Sequence, residues 1–183
     1  MKKIVVITLC ASFLPLCGRA QDFSLSTNVV DYANMATVNL QLGMGISRHW
    51  SVDAGVKYNP FSFGKDEAMK LNRQKLYSAG MRFWPWHIFS GWWLGGKLQY
   101  QEFNTGGITS VVTSQGDRYG GGLSGGYTYM ISPHLNVEVG VGFWSGYEVF
   151  TSYACQKCGR IVDSGHKFFI KPNDLMLSLS FIF

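Results

Sequence analysis

The chain has 183 residues, 46% of them hydrophobic and 15% aromatic, with 22 glycines and 5 prolines, which suits one folded domain and excludes a disordered or low-complexity chain. Its formal net charge of +5 is concentrated at the front: without the first twenty residues thirteen basic side chains face eleven acidic ones, and a balance of +2 gives no ground for nucleic-acid binding. No stretch approaches the roughly 20 consecutive apolar residues of a membrane-spanning helix.

Lys2 and Lys3 form a positive start, Ile4 to Leu16 a short apolar core, and Gly18-Arg19-Ala20 a small-residue cleavage site. This is the pattern of a signal peptide over 1–20, cut after Ala20, leaving 21–183 as one domain. Lipid attachment at Cys17 is disfavoured by Leu16, which stands where such sites carry a small residue.

Eight segments of period-two alternation follow, each predicting a strand with one apolar face. The first runs from Phe23 to Asp31. The second sets Val38, Leu40, Leu42, Met44 and Ile46 against Asn39, Gln41, Gly43 and Gly45. The third sets Val52, Ala54, Val56 and Tyr58 against Ser51, Asp53, Gly55 and Lys57. The fourth (Tyr77 to Phe83), the fifth (Trp92 to Tyr100) and the glycine-heavy sixth (Arg118 to Tyr129) continue the rule. The seventh carries Leu135, Val137, Val139, Val141 and Phe143 opposite Asn136, Glu138, Gly140, Gly142 and Trp144. The eighth, Leu175 to Phe183, is apolar at every odd position and ends on phenylalanine.

The connections alternate in length. Short ones cover 47–50, 85–90 and 131–134, whereas 59–74, 102–117 and 148–172 are longer and 32–36 is short. Aromatic residues gather at both ends of the strands. Trp50, Phe83, Trp84, Trp86, Phe89, Trp92, Trp93, Tyr129, Phe181 and Phe183 fall at one end; Tyr58, Phe61, Phe63, Tyr77, Tyr100, Tyr119, Phe143 and Tyr147 fall at the other. Alternation alone also suits a soluble barrel with its apolar face turned inward around a ligand. The two aromatic girdles, the loop asymmetry and the terminal phenylalanine favour an eight-stranded, antiparallel, up-and-down transmembrane β-barrel with short periplasmic turns and longer outer loops. The last strand resembles the C-terminal strand of bacterial outer-membrane barrels, which implies that Phe181 and Phe183 form the signal read by the barrel-assembly machinery.

With the apolar faces toward lipid, Asp53, Lys57, Arg82, Lys97, Arg118 and Glu138 point inward as a charge network. Asp53 and Arg82 belong at about the same height on neighbouring strands. Eight-stranded barrels are filled by side chains, so a closed, salt-bridged interior is expected rather than a pore.

The last long connection holds Cys155 and Cys158, spaced CxxC, followed by His166. The pair could form a local disulfide, half of a zinc site or a redox centre. Three ligands fall short of a structural zinc site, and an exported pair favours the disulfide. Otherwise no metal or cofactor set and no catalytic group is read from the chain. His49, His87 and His134 lie in separate turns, and Asp163-Ser164-Gly165-His166 has the residue types of a hydrolytic triad but as near neighbours. Basic residues Lys65, Lys70, Arg73 and Lys75, with Lys157, Arg160, Lys167 and Lys171, suit either contacts to lipopolysaccharide phosphates or an ordinary solvated loop.

Gly43-x-Gly-Ile-Ser-Arg-His-Trp-Ser-Val-Asp53, then Tyr58-Asn-Pro-Phe61, Tyr153-x-Cys-x-x-Cys-Gly159 and the closing Leu177-x-Leu-x-Phe-Ile-Phe183 resemble an uncharacterised domain-of-unknown-function family. Its members are small Bacteroidetes outer-membrane barrels whose genes often stand near fimbrial operons. The likeness runs from about residue 24 to the end. It implies an eight-stranded membrane barrel, places Cys155 and Cys158 at the family's cysteine pair, and suggests fimbrial subunits as partners, with no activity or cofactor. The expectation is a non-enzymatic outer-membrane protein, structural or accessory at the cell surface, that helps anchor or assemble fimbriae. A surface adhesin or receptor for envelope or host glycans is the alternative, and an outer-membrane hydrolase a distant third.

Overall fold

A computed structural model describes residues 23–63, 70–107, 112–155 and 159–183; the segment read as a signal peptide, and Cys158, lie outside the described residues. The elements are β1 (Phe23–Asn28), α1 (Val29–Ala33), β2 (Val38–Ser47), β3 (Trp50–Asn59), β4 (Ser62–Phe63), β5 (Lys70–Phe83), β6 (Gly91–Gly106), β7 (Thr113–Ser132), β8 (Leu135–Tyr153) and β9 (Ile161–Ile182). Every pairing is antiparallel between neighbours in sequence, except that β9 closes on β1 and β3 passes over the two-residue β4 to pair β5. The result is the expected closed eight-stranded barrel, with β4 as one extra strand. Phe23 and Phe183 exchange main-chain hydrogen bonds of 3.0 Å at one end, here called the near end.

The alternation read from the sequence sets the two faces, and their polarity is inverted relative to a water-soluble fold. Leu98 and Leu123, on the outer face, are 71% and 75% exposed, while the inward Asn136 and Ser51 are 0% and 1% exposed. Around the outer face one row of paired residues runs Val56, Tyr77, Tyr100, Tyr119, Tyr147, Phe168. The next row toward the far end is Tyr58, Lys75, Glu102, Asp117, Val149, His166. The outer surface therefore passes from apolar to charged within one step along the strands.

The connections at the far end differ from expectation. Of the residues read as long loops, 70–74, 102–106, 113–117, 148–153 and 161–172 are strand. The alternation test responds to apolar residues, so it loses a strand where the outer face turns polar. The ladder hydrogen bonds do not depend on that polarity and carry the sheet onward. The first strand stops at Asn28, and Val29 to Asp31, read as its end, form with Tyr32 and Ala33 the one-turn helix α1, whose N-cap Asn28 accepts a hydrogen bond from Val30 N.

These extensions are unequal. β1 has 6 residues and β9 has 22, and the β1–β9 seam ends where Asn28 pairs Ser178. The Asn28 side chain closes that seam, donating to Leu175 O and accepting from Leu177 N. From there to Ile161, β8 is the sole sheet neighbour of β9 among the described residues.

At the near end the link between β5 and β6 folds into the barrel mouth. Trp84, Ile88, Phe89, Trp93, Met176 and Ile182 form a buried cluster there. Trp84 Nε1 donates to Ser51 Oγ at 2.9 Å, and Asn136 Nδ2 donates to Phe89 O at 2.7 Å. Trp84, Phe89 and Trp93 thus leave the girdle in which the sequence placed them, because each ring buries a large apolar area and the open mouth is the apolar site within reach. Phe89 turns with φ 60° and Gly91 with φ 77° to make the fold-back. Trp50, Trp86, Trp92, Tyr129, Phe181 and Phe183 stay exposed around it.

Candidate functional site

The inward charges stand at successive levels of the lumen. Arg82 of β5 lies between two acids: Nη1 donates to both oxygens of Glu138 at 2.9 and 3.0 Å, and Nε stands 3.3 Å from Asp53 Oδ1. Gln41 donates to Asp53 and Thr128 to Glu138, and the Trp93 ring lies 4.3 Å from the guanidinium carbon. The expected nearness of Asp53 and Arg82 holds. Gly126 makes room for this arrangement, since a Cβ there would stand 2.3 Å from Val139 O and 2.9 Å from the Trp93 ring.

Lys57 pairs instead with Asp31 of α1 at 2.9 Å, tying the helix to the rim. Lys97 lines a cavity of about 30 Å³ together with Asp31, Lys57, Gln99 and Met176, and a second cavity of about 20 Å³ lies beside Asp53, Arg82 and Glu138. Both volumes are of the order of single waters. The described part of the lumen is packed with side chains.

Arg118 belongs to a third cluster, nearer the far end. Its Nε donates to Glu148 Oε2 at 2.5 Å, its Nη1 donates to Gln101 at 3.3 Å, and its guanidinium carbon lies 3.7 Å from the centre of the Phe103 ring. Lys167 and Lys171 of β9 approach the same carboxylate at 3.5 and 3.6 Å. Sequence reasoning missed Glu148 because it fell in an assumed loop. Its signal was there: Tyr147-Glu148-Val149 continues the alternation of β8 in step with Glu138.

Past the tyrosine row, a groove of about 520 Å³ at the far end is lined by residues of both faces, Tyr58, Lys75 and Asp117 of the outer one and Gln74, Phe103 and Phe150 of the inner one among them. Lys75 pairs with Glu102 at 3.3 Å, and that hydrogen bond holds the Lys75 ammonium above the ordinary lysine pKa. Tyr100 donates to Asp117 at 2.9 Å.

Cys155 stands just beyond β8, in a link whose neck is closed by Ala154 N donating to Arg160 O at 3.0 Å. His166 sits within β9, and Asp163, an odd number of positions away, points to the opposite face of that strand. The rings of His49, His87 and His134 bond main-chain oxygens of Trp84, Ile88 and Ile182 at 2.9, 3.1 and 3.0 Å. Phe183 stacks on Phe23 at 6.1 Å and Phe181 on His134 at 6.0 Å. Among the described residues no group of three His, Cys, Asp or Glu side chains stands at metal-binding spacing, and no helix is long and apolar enough to cross a membrane.

The fold and its interior define a class: a closed antiparallel eight-stranded barrel with a polar, ion-paired lumen and an apolar exterior. Within that class the chain belongs to the family described as a protein of unknown function, DUF3575, which it matches over residues 4–183. No curated protein and no solved structure matches it.

Proposed function

We propose that this chain is an exported outer-membrane barrel that acts without catalysis, as a structural or accessory element presenting its far end at the cell surface. One observation carries the reading: the outer face is apolar up to the row Tyr77, Tyr100, Tyr119, Tyr147 and charged immediately beyond it. A bilayer rewards such a surface with its aromatic border, whereas water penalises it. Phe181 and Phe183 then serve as the residues read by the barrel-assembly machinery. The far-end sheet stands clear of the bilayer, and a disulfide between Cys155 and Cys158 would staple its tallest hairpin.

Fimbrial subunits are the partners we infer, on the strength of the sequence resemblance; a fold by itself does not name a partner. The far-end groove beside Tyr58, Arg73 and Lys75 favours a second reading, a surface receptor for envelope or host glycans, since its size lies in the range of ligand sites. A hydrolase is disfavoured because Asp163 and His166 face opposite ways and His49, His87 and His134 are engaged with main-chain oxygens.

The experiment is fractionation of the native host. The reading expects the protein in the outer-membrane fraction, migrating faster on gels before heating than after, with far-end residues open to surface labelling. Recovery in the soluble periplasmic fraction would overturn it. Co-purification with fimbrial subunits would support the first partner; intact fimbriae with lost glycan adhesion in a deletion strain would support the second.

A further inference from the structure

The cluster around Glu148 is unbalanced. One carboxylate, its side chain 4% exposed, is approached by Arg118, Lys167 and Lys171, and no other described acid side chain joins them. Arg118 is enough to neutralise Glu148. The ammonium groups of Lys167 and Lys171 reach it at 3.5 and 3.6 Å, with side chains 55% and 44% exposed, so three cations share one carboxylate among the described side chains and the spot keeps an excess of positive charge. Aromatic rings sit beneath them: Lys167 Nζ lies 4.5 Å from the Phe150 ring centre and Lys171 Nζ 5.5 Å from that of Phe169, which packs edge-on against the buried Trp144. Such a floor fixes the ammonium groups without discharging them.

The position of this cluster narrows what it can hold. Lys167 and Lys171 belong to the stretch of β9 that has no second sheet neighbour among the described residues, just past the point where Asn28 ends the seam. The edge of β9 at the level of these two lysines is therefore not laddered to a second strand among the described residues. On the other face of the same stretch, Phe168 and Ile170 are exposed and continue the apolar outer band. The strand margin is thus basic inside and apolar outside, and a ligand lying against it meets both at once.

We propose that Lys167 and Lys171 receive the phosphate of an outer-leaflet lipid headgroup, which reaches round the open margin of β9 while its acyl chains lie against Phe168 and Ile170. The proposal rests on the membrane reading above. A phosphate monoester carries close to two negative charges and suits two ammonium donors better than a carboxylate already held by arginine does. Paired phosphate and hydrocarbon in one molecule match the alternation of the strand margin.

The test uses the mature barrel in neutral detergent micelles, with bis-phosphorylated lipid A, its dephosphorylated form and inorganic phosphate as probes. The phosphorylated lipid is expected to raise the thermal unfolding midpoint. The apparent affinity should fall about tenfold or more in Lys167→Gln/Lys171→Gln and be kept in Lys167→Arg/Lys171→Arg, which guards against misfolding of the first variant. Arg48→Gln, in the exposed near-end turn between β2 and β3, should bind as wild type. An equal shift from dephosphorylated lipid, from inorganic phosphate at millimolar concentration, or in the double glutamine variant would overturn the proposal. A barrel that fails to insert into lipid vesicles sinks the membrane reading; one that inserts but ignores the headgroup phosphate sinks only this site.

Discussion

Arg82 on β5 and Glu138 on β8 face each other across the lumen, one guanidinium nitrogen donating to both carboxylate oxygens at 2.9 and 3.0 Å. They stand on strands that are not neighbours, so this pair spans the barrel and fixes its cross-section. Replacing Arg82 with alanine leaves Asp53 and Glu138 together in a water-poor interior, and such a break costs about 3–5 kcal/mol. Urea unfolding of the refolded barrel should register that loss, with Glu138→Gln milder because it leaves no charge of its own. An Arg82→Ala protein as stable as wild type would mean that water, and not Arg82, holds the two acids.

A lumen filled by Arg82, Trp84, Phe89 and Trp93 predicts no steady ion conduction. Planar-bilayer recordings of the purified protein should stay at baseline. Trp84→Ala removes the ring that plugs the near mouth and should lower stability by about 3–5 kcal/mol. Sustained single-channel steps from the wild-type protein would contradict a closed interior.

Leu98 points outward in the middle of the apolar band. In a bilayer, Leu98→Arg should destabilise the barrel by about 2–4 kcal/mol, whereas on the surface of a water-soluble protein the same change costs close to nothing. The effect should vanish for Gln115→Arg, beyond the tyrosine row. Equal tolerance of both changes in vesicles would remove the basis for placing Leu98 against lipid.

Gly91 takes φ 77°, and a Cβ there would stand 2.4 Å from the Trp86 ring. Gly91→Ala combines a left-handed backbone with a steric clash at the turn that seats the plug, and about 1–3 kcal/mol of stability should go with it. Melting curves of the variant and of Gly165→Ala, where the added Cβ meets nothing within 4 Å, would separate a local clash from a general intolerance of alanine in the sheet.

Thiol labelling gives the remaining test. With Cys155 and Cys158 joined, maleimide should react only after reduction, and the barrel should stay folded, because closing so short a loop contributes about 2 kcal/mol at most. Reaction without reductant would rule out the disulfide.

Much of the fold could be read from the chain because the barrel strands alternate, and alternation survives translation into any closed antiparallel sheet. Asp53 and Arg82 were placed together because β3 and β5 are adjacent and their register follows from the pattern. Glu138 was not assigned to Arg82, because a contact between β5 and β8 depends on the stagger and bore of the closed barrel, which no local pattern encodes. Glu148 is hidden for a different reason: the outer side chains around it turn polar, and a polar stretch reads as a loop. The plug is not legible because Trp84 to Ser90 is too short to show a period, and its rings read as border aromatics.

The 6-residue β1 beside the 22-residue β9 gives the molecule a heading. A barrel with a level rim is alike from every side and can spin about its axis without changing what it offers. Here the tall wall of β7, β8 and β9 drops directly to the short β1 and α1 beside it, so anything gripping the wall also orients the barrel about its axis. Several copies held by one long partner would then all point the same way.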